Sequence, residues 1–101
     1  MRELTEDTLQ DILQENENVM VMYGASWCGA CKMTKPKVRR MSDANEHIEF
    51  VYVDAELMPK SRDVVVIKNL PTFASFKSGE LVASMATSKA DKIEEILNAI
   101  K

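Results

Sequence analysis

Two cysteines, Cys28 and Cys31, are the residues of this chain whose type and spacing suggest chemistry. They lie three positions apart, where an apolar strand-like pattern gives way to a helical one. The free N–H groups and the dipole of a helix N-terminus favour a thiolate in the first helical turn. The order of the two cysteines in the chain predicts that Cys28 is the solvent-reachable nucleophile. Cys31, about one turn further on, is then the more covered resolving thiol.

Three other interpretations of the cysteine pair are open, and two of them require further residues. A structural zinc site takes four ligands, and His47 is the only other good donor. Haem attachment needs a histidine directly after the second cysteine, where the chain has Lys32. An incidental pair is disfavoured because a C-x-x-C spacing at a strand–helix junction rarely arises by chance. The residues favour redox chemistry of the thiols.

The composition predicts that these cysteines belong to one globular domain spanning residues 1–101. The chain is 46% apolar and 29% charged, and a chain of this size buries roughly two-thirds of its unfolded surface without disulfide staples. A net charge of -3 argues against a partner held by nucleic-acid phosphates. No apolar run approaches the roughly 20 residues of a membrane span, and the acidic N-terminal segment lacks the apolar core of a secretory signal. We expect a cytoplasmic protein without nucleic-acid or membrane partners, although a trimmed secreted protein would look the same.

Hydrophobic periodicity predicts the strand and the helix that hold the cysteines. The uninterrupted apolar run 19–23 is typical of a strand buried on both faces. A helix is expected to begin near Cys28 and to be kinked at Pro36, because proline lacks the backbone N–H and crowds the preceding turn. The expected apolar stripe of this helix consists of Ala30, Met33, Val38 and Met41.

The other elements also follow from their patterns. They are a helix over 5–15 with Thr5 as its N-cap, a strand over 48–54, a weak helix over 56–63, a hairpin of 72–77 with 81–85, and a last helix that begins with a capping box of Ser88 and Asp91. Segment 64–67 is ambiguous. A strand–helix–strand unit that feeds an antiparallel hairpin, with helices on both faces, makes a three-layer α/β/α domain with a mixed central sheet.

The chain resembles the thioredoxin family at several separated motifs. Segment Trp27-Cys28-Gly29-Ala30-Cys31-Lys32 resembles the active-site motif Trp-Cys-Gly-Pro-Cys-Lys, and Pro36 falls where the family kinks the same helix. Leu70-Pro71-Thr72 resembles the family's cis-proline loop, and segment 76–80 its hairpin turn. The element order is similar from about residue 2 to the end, with the first strand cut to segment 2–4.

The resemblance implies a thioredoxin fold and reduction of protein disulfides. Cys28 would attack a substrate disulfide, and Cys31 would then displace the reduced substrate. Pro71, in cis, would face the cysteine pair, and the backbone of Leu70 would pair with the bound polypeptide. The implied substrate-binding residues are Trp27, Gly29, Ala30, Leu70 and Pro71.

The resemblance also implies a monomer with no metal and no cofactor beyond a redox-active Cys28–Cys31 disulfide. Its implied partners are protein disulfide substrates and a thioredoxin reductase. Two other functions stay open. A disulfide oxidase or isomerase would be favoured in an oxidising compartment, whereas a binding subunit would use the fold and leave the thiols secondary. Glutaredoxin activity is disfavoured, because Trp27 and the Gly29-Ala30 dipeptide suit polypeptide disulfides better than glutathione.

Several positions depart from the family pattern. Met22 and Phe50 stand where thioredoxins bury an aspartate and its lysine partner, so we expect Cys31 to lack an internal carboxylate base. Ala30 replaces the proline between the cysteines, which should shift the reduction potential. Gly24 stands where many members have a second tryptophan, and this predicts looser packing beneath the active site. The glycine-containing docking loop is missing around segment 85–87.

Overall fold

The chain folds into a five-stranded mixed sheet with helices on both faces, as described by a computed structural model of residues 1–101. The strands are β1 (Arg2–Glu3), β2 (Asn18–Gly24), β3 (Glu49–Asp54), β4 (Thr72–Lys77) and β5 (Glu80–Ala86), and the helices are α1 (Leu9–Glu15), α2 (Gly29–Ala44), α3 (Pro59–Arg62) and α4 (Ala90–Asn98). In the sheet the order is β1-β3-β2-β4-β5. Strands β1, β3 and β2 are parallel to one another, whereas β4 pairs antiparallel with both β2 and β5. The predicted three-layer fold is confirmed.

Strand β2 lies at the centre of the sheet and divides the core into two clusters. Its side chains alternate between the two faces, as in any strand. Val19, Val21 and Tyr23 pack with the buried face of α1. Met20 and Met22 pack with residues of α2 and α4 and with both cysteines. Both faces are therefore buried, as the uninterrupted apolar run predicts.

Helix α1 begins at Leu9, later than the predicted start. The carboxylate of Asp7 accepts hydrogen bonds from the N–H groups of Lys60 (2.9 Å) and Ser61 (2.7 Å) at the start of α3. The N–H of Leu9 in turn donates to the Ser61 hydroxyl at 3.2 Å. Thr5 as N-cap is therefore a wrong prediction: Asp7 is drawn to α3, and Ser61 satisfies the first N–H group of α1.

Helix α2 starts where predicted, but its buried stripe differs from the predicted one. Its buried side chains are Cys31, Thr34 and Val38, whereas Ala30 and Met33 are exposed. Because Cys31 faces the sheet, the positions three and seven residues further along face it as well. The hydroxyl of Thr34 donates to the carbonyl of Ala30 at 2.6 Å, which satisfies its polar group on the buried side.

The predicted hairpin is confirmed, and its two-residue turn has the backbone that such a turn requires. Ser78 and Gly79 have φ values of 51° and 83°, and positive φ at both central residues is the signature of a type I′ turn. Segment 64–67 forms neither helix nor strand. Helix α3 lies within the predicted 56–63 but is shorter.

Helix α4 buries Ile93, Ile96 and Leu97, as its periodicity predicts. The predicted capping box is wrong, because the N-cap is Lys89 and its side chain makes no capping hydrogen bond. Instead, the hydroxyl of Thr87 accepts the N–H of Lys89 at 3.1 Å. The hydrogen bond to Thr87, a residue outside the helix, thus forms in place of the capping hydrogen bond predicted for Ser88.

The hydrogen bonds to Asp7 should make stability depend on pH. Desolvation acts to raise the pKa of Asp7, but the hydrogen bonds from Ser61 and Lys60 outweigh it and hold that pKa below its ordinary 3.8. The charged carboxylate therefore stabilises the fold above pH 3.8, and this contribution is lost as the pH falls through the folded-state pKa. We expect Asp7→Asn to be less stable than wild type at neutral pH, with the gap closing in acid.

Urea denaturation of both proteins across this pH range measures the gap. Asp43→Asn is the control, because Asp43 is an exposed aspartate of α2 that forms no ion pair. A gap for Asp7→Asn that stays constant from neutral pH into acid would show that the carboxylate charge contributes nothing.

Candidate active site

Cys28 and Cys31 form a disulfide at the start of α2, with their Cα atoms 5.2 Å apart. Cys28 is the N-cap, and its own N–H donates to the carbonyl of Ala25 at 3.1 Å. The N–H of Cys31 donates to Sγ of Cys28, also at 3.1 Å. The helix start therefore directs a donor at the first sulfur, an arrangement that stabilises its thiolate when the disulfide is reduced.

The two cysteines rank in exposure as predicted, although both are more covered than expected. Cys28 is 6% exposed and Cys31 is 2% exposed. Trp27 is 67% exposed, so its indole lies outside the core. Gly29 and Ala30 are exposed as well, and a Cβ added at Gly29 would meet no atom within 4 Å. Cys28 thus lies beneath an open rim formed by its chain neighbours.

The Leu70–Pro71 peptide bond is cis, as the resemblance implies. Pro71 is buried directly before β4, and its carbonyl accepts the N–H of Thr87 at 3.1 Å. Leu70 packs against the cluster that contains both cysteines. Its own N–H and carbonyl have no backbone hydrogen-bond partner within the chain. These two groups can therefore hydrogen-bond to a bound polypeptide.

A groove of about 310 Å³ lies beside the exposed indole of Trp27. It is lined by Trp27, Ala55, Glu56, Arg62, Ile67, Lys68, Asn69 and Leu70. The groove thus connects Trp27 with Leu70, two of the predicted substrate-binding residues. Sequence reasoning missed its basic side chains Arg62 and Lys68, which form no ion pair within the chain. They lie in α3 and in the irregular segment after it, where the pattern was weakest.

The positions of the absent aspartate and lysine are buried and apolar. Met22 is 1% exposed and Phe50 is 2% exposed. Both side chains belong to the same apolar cluster as the cysteines, and no charged residue of the chain is buried. Cys31 therefore packs among apolar side chains, and no buried carboxylate is available to take its proton.

The predicted looser packing at Gly24 is wrong, because a side chain from the neighbouring strand fills the space. A Cβ placed on Gly24 would lie 2.5 Å from the hydroxyl oxygen of Tyr52 and 2.9 Å from its Cε1. A tryptophan at position 24 would displace this phenol. The bulk that the family often supplies from one strand is supplied here by the next strand.

The zinc alternative finds no support in the fold. His47 follows the far end of α2, a helix of 16 residues whose N-cap is Cys28, so it lies far from the cysteines. No group of three or more His, Cys, Asp and Glu side chains is arranged to hold a metal ion.

None of the helices has the length and apolar character needed to cross a membrane.

Known proteins resemble this chain over almost its whole length. The thioredoxin family model matches residues 1–100. Thioredoxin of Callithrix jacchus is 30% identical over 96 residues, covering 93% of this chain and 91% of the relative. Thioredoxin-2 of Pyricularia oryzae is 32% identical over 90 residues, and the match covers 53% of that relative's own length. The structure of Fasciola hepatica thioredoxin superposes with a TM-score of 0.92 and 27% identity, over 100% of both chains.

Proposed function

The chain belongs to the thioredoxin family, and from this premise we propose that it is a protein-disulfide reductase recharged by a thioredoxin reductase. Its broader class is thiol–disulfide oxidoreductase, given the family and the Cys28–Cys31 disulfide. One observation carries the proposal: the N–H of Cys31 is aimed at the sulfur of Cys28, at the start of a helix. This geometry favours an attacking thiolate on the first cysteine.

In the first step the Cys28 thiolate attacks one sulfur of a substrate disulfide. A bond forms between Cys28 and that sulfur, the substrate S–S bond breaks, and the other substrate sulfur leaves as a thiolate that takes up a proton. The product is a mixed disulfide between Cys28 and the substrate. Its greater exposure and its place as N-cap support Cys28, rather than Cys31, as the attacking residue.

In the second step Cys31 loses its proton and attacks Sγ of Cys28. The mixed disulfide breaks, the substrate leaves with its second thiol, and the Cys28–Cys31 disulfide forms again. Two electrons have passed from the chain to the substrate. A thioredoxin reductase that uses NADPH returns two electrons and restores the dithiol.

We assign docking of the substrate polypeptide to the rim above Cys28 and to the loop around Pro71. Trp27, Gly29 and Ala30 are exposed around the nucleophile. The unpaired backbone groups of Leu70 suit an extended substrate segment that adds main-chain hydrogen bonds, a common mode of peptide recognition. Pro71 is assigned to the same site by its place in this loop.

A cytoplasmic monomer suits this function. The cytosol keeps thiols reduced, and a reductase must spend most of its time in the dithiol form. In a monomer the exposed rim around Cys28 stays open to large substrates. A disulfide oxidase or isomerase would instead require an oxidising compartment.

Reduction of insulin disulfides, coupled to NADPH oxidation through a thioredoxin reductase, tests the proposal. We expect the wild-type chain to catalyse NADPH consumption and the Cys28→Ser variant to show none above background. Circular dichroism confirms that both are folded. A folded wild-type chain that fails to reduce insulin with either reductase or dithiothreitol as electron donor would favour the binding-subunit alternative.

A further inference from the structure

We propose that Tyr52 is a positioning residue of the redox pair. Its ring lies between the end of β2, which leads to Cys28, and the first turns of α2, which carry Cys31. The inference rests on the thiol–disulfide exchange assigned to this site. It concerns the thiolate of Cys28, so it is testable without any protein substrate.

The hydroxyl end of Tyr52 touches the backbone that leads to Cys28. Tyr52 lies opposite Met22 in the pairing of β3 with β2, and its half-buried ring packs against the cluster that contains both cysteines. Its hydroxyl and Cε1 occupy the space into which a Cβ of Gly24 would project. Gly24 ends β2, and the carbonyl of the next residue, Ala25, accepts the N–H of Cys28. The phenol therefore braces the strand end directly before the nucleophile.

The face of the same ring touches α2. The Nζ atom of Lys35 lies 3.9 Å from the ring centroid of Tyr52, within the range of a cation–π contact. Lys35 follows Cys31 by four residues, so the two side chains lie on the same side of the helix. The ammonium group also pairs with Glu3 at 2.5 Å, and Glu3 lies opposite Tyr52 in the pairing of β1 with β3. Lys35 is thus held by two partners on the sheet.

Tyr52 consequently contacts both ends of the segment that carries the active site, Gly24 to Lys35. Within this segment the N–H of Cys31 must stay directed at the sulfur of Cys28, where it lies at 3.1 Å. If either end is released, the helix start shifts relative to Cys28. The hydrogen bond and the dipole that favour the thiolate are then weakened.

Tyr52 acts here by packing and not by transferring protons. Burial, together with the nearby charges of Asp54 and Glu3, raises the pKa of Tyr52 above its ordinary 10.0. The phenol is therefore neutral at the pH at which thiols exchange. The charged groups around it come from three elements: Lys35 from α2, Glu3 from β1 and Asp54 from β3 itself.

The pKa of Cys28 is the readout, measured from the rate at which iodoacetamide alkylates the reduced protein as the pH is varied. Tyr52→Leu removes the ring contacts with Gly24 and Lys35, so we expect the pKa of Cys28 to rise. Losing a helix-end interaction corresponds to about a two- to fivefold slower alkylation at pH 7. Tyr52→Phe keeps the ring over Lys35 and should retain most of the wild-type rate.

A double-mutant cycle separates the contact with Lys35 from the charge of Lys35. Lys35→Met alone removes a cation near the thiols as well as the ring contact. If Tyr52 acts partly through Lys35, the effects of Tyr52→Leu and Lys35→Met will be less than additive. Strict additivity would remove Lys35 from the proposal.

Phe76→Leu is the control for a general loss of stability, because Phe76 is buried in the cluster on the opposite face of the sheet. It should leave the pKa of Cys28 unchanged. Equal shifts in Tyr52→Leu and Phe76→Leu, or no shift in Tyr52→Leu, would overturn the proposal. If Tyr52→Leu does not fold, Gly24→Ala displaces the phenol by a single methyl group and should raise the pKa of Cys28 in the same direction. Alkylation needs no disulfide substrate, so its outcome is independent of whether the chain reduces insulin.

Discussion

A Cys31→Ser variant is expected to accumulate as a covalent complex with its substrate, whereas Cys28→Ser is expected to form none. With Cys31 absent, Cys28 still attacks but nothing releases the product. Turnover should fall on the order of a thousandfold or more in either variant, because the two thiols act as one unit. Mass spectrometry of the reaction with oxidised insulin, without added reductant, measures the adduct directly.

The contrast between the two variants, and not the loss of turnover, tests their roles. Cys28 is the N-cap and receives the N–H of Cys31, whereas Cys31 is the more buried residue of α2. The double variant Cys28→Ser/Cys31→Ser supplies the background. Comparable adduct yields from the two single variants would mean that the cysteines attack interchangeably and that the helix start confers no preference.

Much of this site could be predicted from sequence because its signals are local. The pair at Cys28 and Cys31 lies within a single turn, at a junction that changes from apolar run to helical period. Strand β2 is buried on both faces and helix α4 on one face, so the hydrophobic pattern of each is enough to identify it. The cis bond before Pro71, by contrast, was implied only by the resemblance to a family.

The features that sequence did not predict depend on residues far apart in the chain. Helix α1 begins late because Asp7 hydrogen-bonds to residues more than 50 positions away. Gly24 suggested a gap, but the phenol that fills it comes from Tyr52 on another strand. No local pattern reports which strand lies beside which, so neither outcome was accessible before the register of the sheet was known.

Met22→Asp is expected to destabilise the protein strongly, and Phe50→Lys is expected to restore part of the loss. Met22 is 1% exposed in an apolar cluster, and no charged residue of the chain is buried. An uncompensated buried charge costs about 3–5 kcal/mol. Phe50 is a neighbour in the same cluster, two residues before Tyr52, the register partner of Met22. A lysine there lies on the same face and within diagonal reach of position 22.

The loss of stability in Met22→Asp should depend on pH, and the pKa of the new carboxyl sets the direction of that dependence. Burial without a cation raises the pKa of the introduced carboxyl above its unfolded value. The loss of stability in Met22→Asp should therefore be largest near neutral pH and shrink as the pH falls through the raised folded-state pKa. Urea denaturation at several pH values measures it. In the paired variant the cation opposes this rise, so the pH dependence should be weaker.

The same pair of substitutions should accelerate the resolving step. In the wild-type chain Cys31 has no internal carboxylate, so its proton goes to water or to the departing substrate thiolate. A positioned general base contributes about 10²-fold or more, and a gain of even tenfold is measurable. Reduced protein mixed with 5,5′-dithiobis(2-nitrobenzoate) forms a mixed disulfide on Cys28, and the second release of coloured thiolate, followed by stopped flow, reports attack by Cys31.

Met22→Asn with Phe50→Lys is the matched control, since it keeps the cation and the polar volume but offers no base. We expect the resolving rate to rise only in the variant with Asp at position 22, and to depend less steeply on pH there than in wild type. Equal rates in all three proteins would mean that proton loss from Cys31 does not limit resolution. In that case the apolar floor formed by Met22 and Phe50 would affect stability alone, because the departing thiolate would already serve as the proton acceptor.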